Sequence, residues 1–434
     1  MSDVPFGFGP PGREPDDDDE NAGAGGGVGG LPTGGFGVGF PGGLGLPGDL
    51  PPDLAGKVPL FAELQKLLSW QGGPVNWDLA RQIATSQLAA GHRAPTPGER
   101  VQVAEALRLG DLWLDAATSL PSGITAAQSW SRVEWVEKTL PVWSALCDPV
   151  AARVVGAMSG AVPEEAAAQA SQLLAMLAPV GGMMFGAQVG QGLGSLAAEV
   201  VSSTDVGLPL GPAGTAALIP ENVAAFGSGL ERPEDEVRLF LALREAAHHR
   251  LFGHVPWLRQ RLLDTVDAYA RGIEVDSGAI ERAMSEVDPN DPESVQRALA
   301  GGMFEPQNTP EQKAALVRLE TLLALVEGWV DEVVAGAATD RLPGADALRE
   351  TLRRRRATGG PAEQTFATLV GLELRPRRLR DAAMLWRTLR ERRGVEGRDE
   401  VWRHPDLLPD AEDLDDPEAF VRRGDEPETS AGNL

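Results

Sequence analysis

The sequence predicts an all-α protein with a single compact helical domain between two disordered tails. Alanine, leucine, arginine and glutamate dominate the middle of the 434-residue chain, and valine and isoleucine do not alternate with polar residues there. Apolar residues recur instead at the 3.6-residue spacing of helices. With 42% hydrophobic residues, the chain is long enough to bury a substantial core.

The boundaries of the domain follow from composition. Residues 1–54 contain 17 glycines and nine prolines, so this segment buries too little apolar surface to offset the chain entropy lost on folding. Residues 409–434 are again rich in Pro, Asp and Glu, which predicts an acidic disordered tail. The helical domain is therefore predicted to span residues 55–408.

Helical periodicity divides this domain into separate predicted helices. Gly, Pro and Thr break the pattern at 204–226, where short strands are predicted. The predicted helices are 58–71, 76–90, 96–120, 125–146, 149–159, 163–178, 181–202, 233–252, 256–272, 278–285, 293–301, 310–338, 344–357, 361–369 and 376–393.

The charge and the cysteine content limit the function classes. A net charge of -24 argues against general affinity for nucleic acid or anionic lipid, so we predict no nucleic-acid partner. A single cysteine, Cys147, excludes an intramolecular disulfide and a thiolate zinc cluster. The chain also starts without the apolar segment of a secretory signal, which favours a cytoplasmic location.

The segment 349–393 departs from this acidic balance, because it holds 13 arginines against five acidic residues. A nucleic-acid surface is one interpretation. The acidic whole and the lack of interleaved aromatic residues favour a solvated, salt-bridged helix face. A third interpretation is a docking site for the chain's own acidic tail.

Residues 166–198 carry no charge, and four glycines recur among them at four-residue intervals from Gly182 to Gly194. A membrane span is one interpretation of this stretch. Several glutamines interrupt it and Pro179 divides it into two pieces of under 20 residues. These features favour a buried helical hairpin whose glycine face receives a neighbouring helix, and we predict no stable membrane span.

The helix predicted at 233–252 carries the candidate chemistry. Placed at 100° steps, Arg244 and His248 lie within the apolar arc, with Glu245 at its edge and His249 beyond it. A guanidinium and an imidazole that are buried without partners cost several kcal/mol. Carboxylates, a metal ion or both are therefore predicted opposite them.

The stretch Arg244-Glu245-Ala-Ala-His248 departs by one residue from His-Glu-x-x-His, the helical zinc motif of metallopeptidases. In that motif two histidines one turn apart bind zinc, and the glutamate activates the zinc-bound water. His248 and Glu245 are in the matching places, whereas Arg244 stays protonated and cannot bind a metal. A metal would need a replacement ligand.

Two replacements are available. His254 follows His248 by six residues and reaches it only if the helix ends before Gly253; the alternative is a loop histidine that caps the helix.

The second replacement comes from one face of the helix predicted at 310–338, where Glu320, Glu327 and Asp331 lie among apolar residues. We predict Glu327 as a metal ligand and Asp331 as the group that orients His248. The alternative is an internal ion pair with Arg244 or with the arginines at 353–356.

The segments REAAHHRLFGHVPWLRQRL and LETLLALVEGWVDEVV carry a resemblance. Over about residues 57–408 the chain resembles the type 2 zincin-like metallopeptidase family, which implies zincin-like core helices, a hydrolase activity and zinc. A sister branch, associated with deazaflavin coenzyme biosynthesis, has an intact His-Glu-x-x-His and a Glu-Gly-His piece. The resemblance places those motifs on Arg244, Glu245, His248, Glu327, Gly328 and Trp329, so a ligand histidine and a nearby histidine are replaced here.

Two functions are therefore predicted. The first is a zinc-dependent metallohydrolase or metallopeptidase for a peptide or protein substrate, with a degenerate motif and no specified oligomeric state. The second is a non-catalytic interaction or scaffold protein with a zincin fold that has lost the metal.

In the predicted hydrolase, His248 and Glu327 hold the zinc, His254 or His249 completes the ligand set, and Glu245 takes a proton from bound water. Arg244 stabilises an oxyanion or pairs with Glu320.

Overall fold

The computed structural model describes residues 73–160, 167–271, 274–275, 306–307, 309–357 and 378–425. The predicted tail at 1–54 and the predicted helices at 58–71, 278–285, 293–301 and 361–369 lie outside the described residues.

The described residues confirm the all-α class, since they contain eleven α-helices and two pairs of very short strands. In chain order these elements are α1 (Trp77–Ala89), α2 (Pro97–Leu114), β1 (Ala126–Ser129), α3 (Arg132–Gly160), α4 (Ala167–Ala197), β2 (Thr215–Leu218), α5 (Pro220–Gly227), α6 (Glu234–His254), α7 (Pro256–Arg271), β3 (Glu274–Val275), β4 (Pro306–Gln307), α8 (Pro310–Ala338), α9 (Ala345–Ala357), α10 (Leu379–Asp399) and α11 (Pro417–Asp425). Two 3₁₀ turns, Glu400–Arg403 and Pro405–Leu407, lead from α10 towards α11.

The first pair of strands lies partly where a helix was predicted. β1 occupies the start of the predicted helix 125–146 and pairs in parallel with β2, from Ala126 opposite Thr215 to Ser129 opposite Leu218. β2 lies in the stretch 204–226, where a strand was predicted. Short strands of alanine and serine carry no periodicity that distinguishes them from a helix, and pairing with β2 decides the conformation of β1.

Helix α3 also departs from the prediction, because it joins the predicted helices 125–146 and 149–159 and continues through Pro149. Proline removes one backbone donor from a helix. The buried residues Trp135, Trp143 and Leu146 lie along the same helix, at 0 to 2% exposure. Burial of such side chains, at roughly 1.5–3 kcal/mol each, offsets the missing hydrogen bond.

The predicted hairpin at 166–198 is wrong, because α4 runs without a break through residue 179. One missing backbone hydrogen bond does not end a helix whose C-terminal half packs along a neighbour. The glycine face of α4 does receive a neighbouring helix, which is α1. A Cβ at Gly186 would lie 2.5 Å from the carbonyl oxygen of Asn76, just before α1, and a Cβ at Gly190 would lie 2.6 Å from the carbonyl oxygen of Ala80. Within the described part of the chain, no helix has the length and apolar character needed to cross a membrane.

This close approach predicts the effect of a methyl group. We expect Gly190→Ala to lower the free energy of unfolding by about 1–3 kcal/mol, because the backbone of α1 must move away. Gly181→Ala, in the same helix but with open space around its Cβ, is the matched control. The control is expected to be neutral or stabilising by up to about 1 kcal/mol. Urea unfolding of both variants measures the difference, and equal stabilities would contradict the tight glycine contact.

Part of the predicted tail at 409–434 lies among the described residues, which run to residue 425. Helix α11 packs against α10 there, and Val421 of α11 and Leu414 just before it are each 2% exposed. Acidic side chains of this segment pair with arginines of α10, as Glu418 does with Arg392 at 3.2 Å. The acidic composition indicated a solvated tail, but two apolar anchors and complementary charge hold the segment on the domain.

Helices α6 and α8 form the centre of the domain and position the candidate site. Every residue of α6 from Phe240 to Leu251 is buried, and so is every residue of α8 from Thr321 to Val334. Arg250 ties α6 to α2 by ion pairs to Asp111 at 2.8 Å and Asp115 at 2.6 Å. The charged side chains of α6 and α8 are therefore held inside the protein by helices that cannot shift without unpacking the core.

Candidate functional site

The site lies where α6 and α8 face each other. Arg244 and His248 are one turn apart on α6, and both point towards Glu327 of α8. Nη2 of Arg244 lies 2.5 Å from Oε2 of Glu327, and the three residues are only 6, 2 and 2% exposed in that order. Two pieces of chain that are 79 residues apart thus meet in a buried, charged contact.

His248 is held at both ring nitrogens. Its Nδ1 lies 2.9 Å from the backbone carbonyl oxygen of Arg244, and its Nε2 lies 3.0 Å from Oε1 of Glu327. A carbonyl oxygen only accepts, so Nδ1 carries a proton and donates it. The carboxylate of Glu327 thus contacts the guanidinium of Arg244 through Oε2 and the imidazole of His248 through Oε1.

Asp331, one turn after Glu327, binds arginines. Its Oδ2 lies 2.6 Å from Nη2 of Arg353 on α9, and Arg244 and Arg349 approach it at 4.0 Å. Asp331 was predicted to orient His248, but the carbonyl oxygen of Arg244 does so. The alternative prediction, internal ion pairs with Arg244 and with the arginines near 353, is what the geometry shows.

Glu245 is fully buried and surrounded by donors. Its carboxylate accepts hydrogen bonds from the hydroxyl groups of Ser203 and Thr204 and from the amides of Thr204, at 3.2 Å, and Ala217, at 3.0 Å. Burial alone would raise the pKa of Glu245, but the contacts with His249, Ser203 and Thr204 lower it to about 2. A carboxylate so bonded is a poor proton acceptor, which disagrees with the predicted general base.

His249 belongs to this second cluster. Its Nε2 lies 3.3 Å from Oε1 of Glu245 and 3.4 Å from Oγ of Ser203. The structure does not bring His249 to Glu327, because adjacent residues of a helix differ by 100° in direction. In this arrangement His249 does not supply the third metal ligand that was predicted.

His254 is also not brought to His248. Helix α6 continues through Gly253 to His254, whose Nε2 lies 3.1 Å from the carbonyl oxygen of Ser122. Six residues of continuous helix turn the side chain by about 240° and move it about 9 Å along the axis. A histidine at this spacing returns to the site only where the helix stops early, so the structure does not bring His254 and His248 together.

Glu320 lies on α8 two turns before Glu327, about 10 Å along the axis, and is partly buried.

Trp329 replaces the histidine that the resemblance expects, and its side chain points to a different carboxylate. Its Nε1 donates a hydrogen bond to Oδ1 of Asp399 at 2.9 Å. That carboxylate also accepts from the hydroxyl group of Thr118 and the amide of Ser119.

Sequence reasoning missed the residues that cover the site. Ser203 and Thr204 follow α4 and bind Glu245, and Gly207 in the same loop lies over Glu327. A Cβ at Gly207 would lie 2.9 Å from Oε1 of Glu327, and the backbone there has φ of 76°. Only the run of small polar residues after an apolar helix pointed to this loop, and such runs are typical of many turns.

Zinc is the metal that the predicted hydrolase requires, and these residues do not fit it. A zinc site needs three or more protein donors in most known cases. Within the described ranges, no group of three or more His, Cys, Asp or Glu side chains is placed to hold a metal ion. Arg244 brings a permanent positive charge within 2.5 Å of the carboxylate of Glu327, which also contacts His248. The donor set and the charge both disfavour a dication.

Comparison with known proteins identifies the family. The crystal structure of a suggested hydrolase with a novel fold from Chloroflexus aurantiacus has a TM-score of 0.56 and 20% sequence identity. The match covers 81% of this chain and 99% of that one, and at this identity it shows the fold alone. No curated protein sequence matches the chain. The model of zincin-like metallopeptidases matches residues 75–421. The chain therefore belongs to the zincin-like metallopeptidase family.

Proposed function

We propose that this chain uses its zincin-like fold as a non-catalytic interaction protein and does not hydrolyse peptides with zinc. The observation that carries the proposal is the contact of 2.5 Å between the guanidinium of Arg244 and the carboxylate of Glu327. A guanidinium stays charged at any pH at which proteins fold, so it repels a dication from this position. The proposed partner is a peptide or protein, and the proposed compartment is the cytoplasm.

The state of Glu245 supports the same conclusion. A general base needs a free lone pair directed at water and a pKa near the working pH. Glu245 is 0% exposed, holds four protein hydrogen bonds from the loop after α4 and from β2, and has a pKa of about 2. Its role in this chain is to anchor that loop on α6.

The zinc hydrolase is retained as a second candidate because of one distance. Nε2 of His248 and Oε1 of Glu327 are 3.0 Å apart, and two ligands at 2.0–2.1 Å from one zinc lie roughly this close to each other. This candidate requires Arg244 to leave Glu327.

Metal content separates the two candidates. We expect the full chain, purified without chelator, to contain far less than one zinc per molecule by inductively coupled plasma mass spectrometry. We also expect no cleavage of a mixed peptide library after zinc is added. Stoichiometric zinc that disappears in His248→Ala would instead support the hydrolase.

A single substitution tests whether Arg244 is the residue that excludes the metal. We expect Arg244→His to take up about one zinc per chain, because it removes the charge and supplies a second imidazole one turn from His248. Arg244→Lys keeps the positive charge and is the matched control, with no uptake expected. Adding His248→Ala to Arg244→His should abolish binding. A folded Arg244→His variant without zinc would show that something other than the guanidinium excludes the metal.

A further inference from the structure

Helix α2 carries the largest group of exposed apolar side chains in the described part of the chain. Leu112, Val101 and Leu109 are 64, 57 and 41% exposed in that order. Single exposed apolar residues are normal on a protein surface, whereas three on one helix mark a candidate contact surface. The other large apolar residues that are exposed in the described ranges lie on four separate elements, and they are Met184, Val317, Met384 and Leu407.

Four positions of α2 form a continuous exposed stripe. Their side chains leave the helix within an arc of about 60°, at 100° per residue. We name these residues the α2 stripe; they are Val101, Glu105, Arg108 and Leu112, and all four are exposed. Their spacing of four, three and four residues is that of the a and d positions of a coiled coil. The stripe therefore has the geometry of a seam that receives a second helix.

The opposite side of α2 holds the stripe in place. Val103, Leu107 and Leu114 are buried on that side, where α2 packs against α6. A Cβ at Gly110 would lie 3.1 Å from the backbone nitrogen of Leu243, so the two helices are in close contact. The α2 stripe is thus presented by a helix that is fixed to the core, and a partner binds there without ordering a flexible segment.

The two charges in the middle of the α2 stripe have no partner within the described ranges. There, neither Glu105 nor Arg108 forms an ion pair or a side-chain hydrogen bond. Along the helix the stripe reads apolar, acidic, basic and apolar. A partner helix that fits it presents an apolar, a basic, an acidic and an apolar group in the same register.

The α2 stripe read in the reverse direction has this order. Val101 and Leu112 lie symmetrically about the point midway between residues 106 and 107, and so do Glu105 and Arg108. A second copy in antiparallel orientation therefore places its Arg108 opposite Glu105 and its Leu112 opposite Val101. In a parallel pair each charged residue would instead meet its own kind, and like charges in contact repel each other. Charge matching thus selects the antiparallel pair.

We propose that two copies of this chain associate through the α2 stripe as an antiparallel helix pair on a two-fold axis. Val101 packs against Leu112 at each end, and two ion pairs between Glu105 and Arg108 lie at the centre. One helix from each copy offers less area than the roughly 800 Å² per partner of a standard interface, so the dimer is weak. At physiological ionic strength the repulsion between two chains of net charge -24 is screened over about 8 Å. The proposal does not rest on the state of Arg244 or on a metal.

Sedimentation equilibrium of the full chain at physiological ionic strength measures this association. We expect the average mass to rise from that of the monomer towards that of the dimer between about 5 and 500 µM. Glu105→Arg and Arg108→Glu each set like charges against each other in the two-fold pair. We expect either variant to raise the dissociation constant of the dimer by about tenfold or more. Arg259→Glu, a charge reversal at an exposed position of α7, is the matched control and should associate like the unchanged chain.

An equimolar mixture of the two charge-reversal variants makes the test decisive. The Glu105→Arg chain presents two arginines and the Arg108→Glu chain presents two glutamates, so the mixed pair has opposite charges at both central positions. We expect the mixture to dimerise at concentrations where neither variant does so alone. Native mass spectrometry identifies the mixed dimer, because the two chains differ in mass. Misfolding of either variant would not be reversed by mixing.

Three results would overturn the proposal. They are an unchanged chain that stays monomeric over the whole range, a dimer that neither charge reversal weakens, and a mixture that associates no better than its components. Urea unfolding of Leu112→Gln identifies another occupant of the stripe. We expect the urea midpoint of the dilute, monomeric chain to stay unchanged, since Leu112 is exposed there. A lower midpoint would mean that a segment of the same chain covers the stripe, and that a second copy does not.

Discussion

Replacing Arg244 with alanine is expected to lower the free energy of unfolding by about 3–5 kcal/mol. The substitution removes the cation that lies 2.5 Å from Glu327 and 4.0 Å from Asp331, two carboxylates that are each 2% exposed. A buried charge that loses its partner keeps the full cost of its lost hydration. The expected loss is a large part of the total stability of an ordinary domain.

Urea unfolding followed by circular dichroism measures this effect. Arg81→Ala is the matched control, because Arg81 pairs with Asp78 at 3.6 Å on the surface and its side chain is 51% exposed. We expect the control to change stability by no more than about 0.5 kcal/mol. Combining Arg244→Ala with Glu327→Gln should recover part of the loss, since the unpaired charge is then removed. A loss from Arg244→Ala no larger than the control's would show that the buried cluster contributes little.

Replacing Glu245 with alanine is expected to be at least as damaging. Four donors from Ser203, Thr204 and Ala217 would lose their acceptor inside the protein. Each unsatisfied donor costs about 1–3 kcal/mol, so a total loss above about 3 kcal/mol is expected unless water enters. If Glu245 were instead a catalytic base, its removal would abolish activity and leave stability nearly unchanged. Urea unfolding distinguishes these outcomes.

The ionisation of Glu245 also predicts how stability depends on pH. Its pKa is about 2 in the folded chain and near the ordinary 4.5 when unfolded, so the unfolded state binds the proton more readily. The stabilisation is complete above about pH 4.5 and is lost as the pH falls towards 2. Its size is about 3 kcal/mol, from roughly 1.4 kcal/mol for each pKa unit. Glu245→Gln should flatten the fall in stability between pH 5 and 3, and an unchanged slope would contradict this assignment.

Helix periodicity predicted most of the fold. The capping boxes of Thr96 with Glu99 and Thr309 with Gln312 are formed by side chains close in sequence, so the starts of α2 and α8 are readable. The breaks predicted at residues 147–148 and at Pro179 are absent, because distant packing partners outweigh a local loss of one hydrogen bond. β1 was missed for a related reason, since its partner β2 lies 89 residues away.

The same difference between local sequence signals and distant contacts explains how much of the candidate site could be predicted. The buried orientation of Arg244 and His248, and their contact with Glu327, followed from helix faces and from the cost of burying unpaired charge. The roles of Glu245, His249 and His254 did not follow, because they depend on where α6 ends and on which loop covers it. Ser203 lies 42 residues before Glu245 in the chain, and no local pattern indicated that its hydroxyl group would bind that carboxylate.

The buried charges on α6 and α8 also define how these helices are aligned. Their contact surfaces are otherwise rich in alanine, leucine and valine, whose attraction is non-directional and follows the buried area. A slip of one helical turn would place Phe240 or His248 opposite the position that Arg244 holds and would leave the guanidinium among apolar side chains. Ionic matching thus adds to the packing of the core a second reason for this one register.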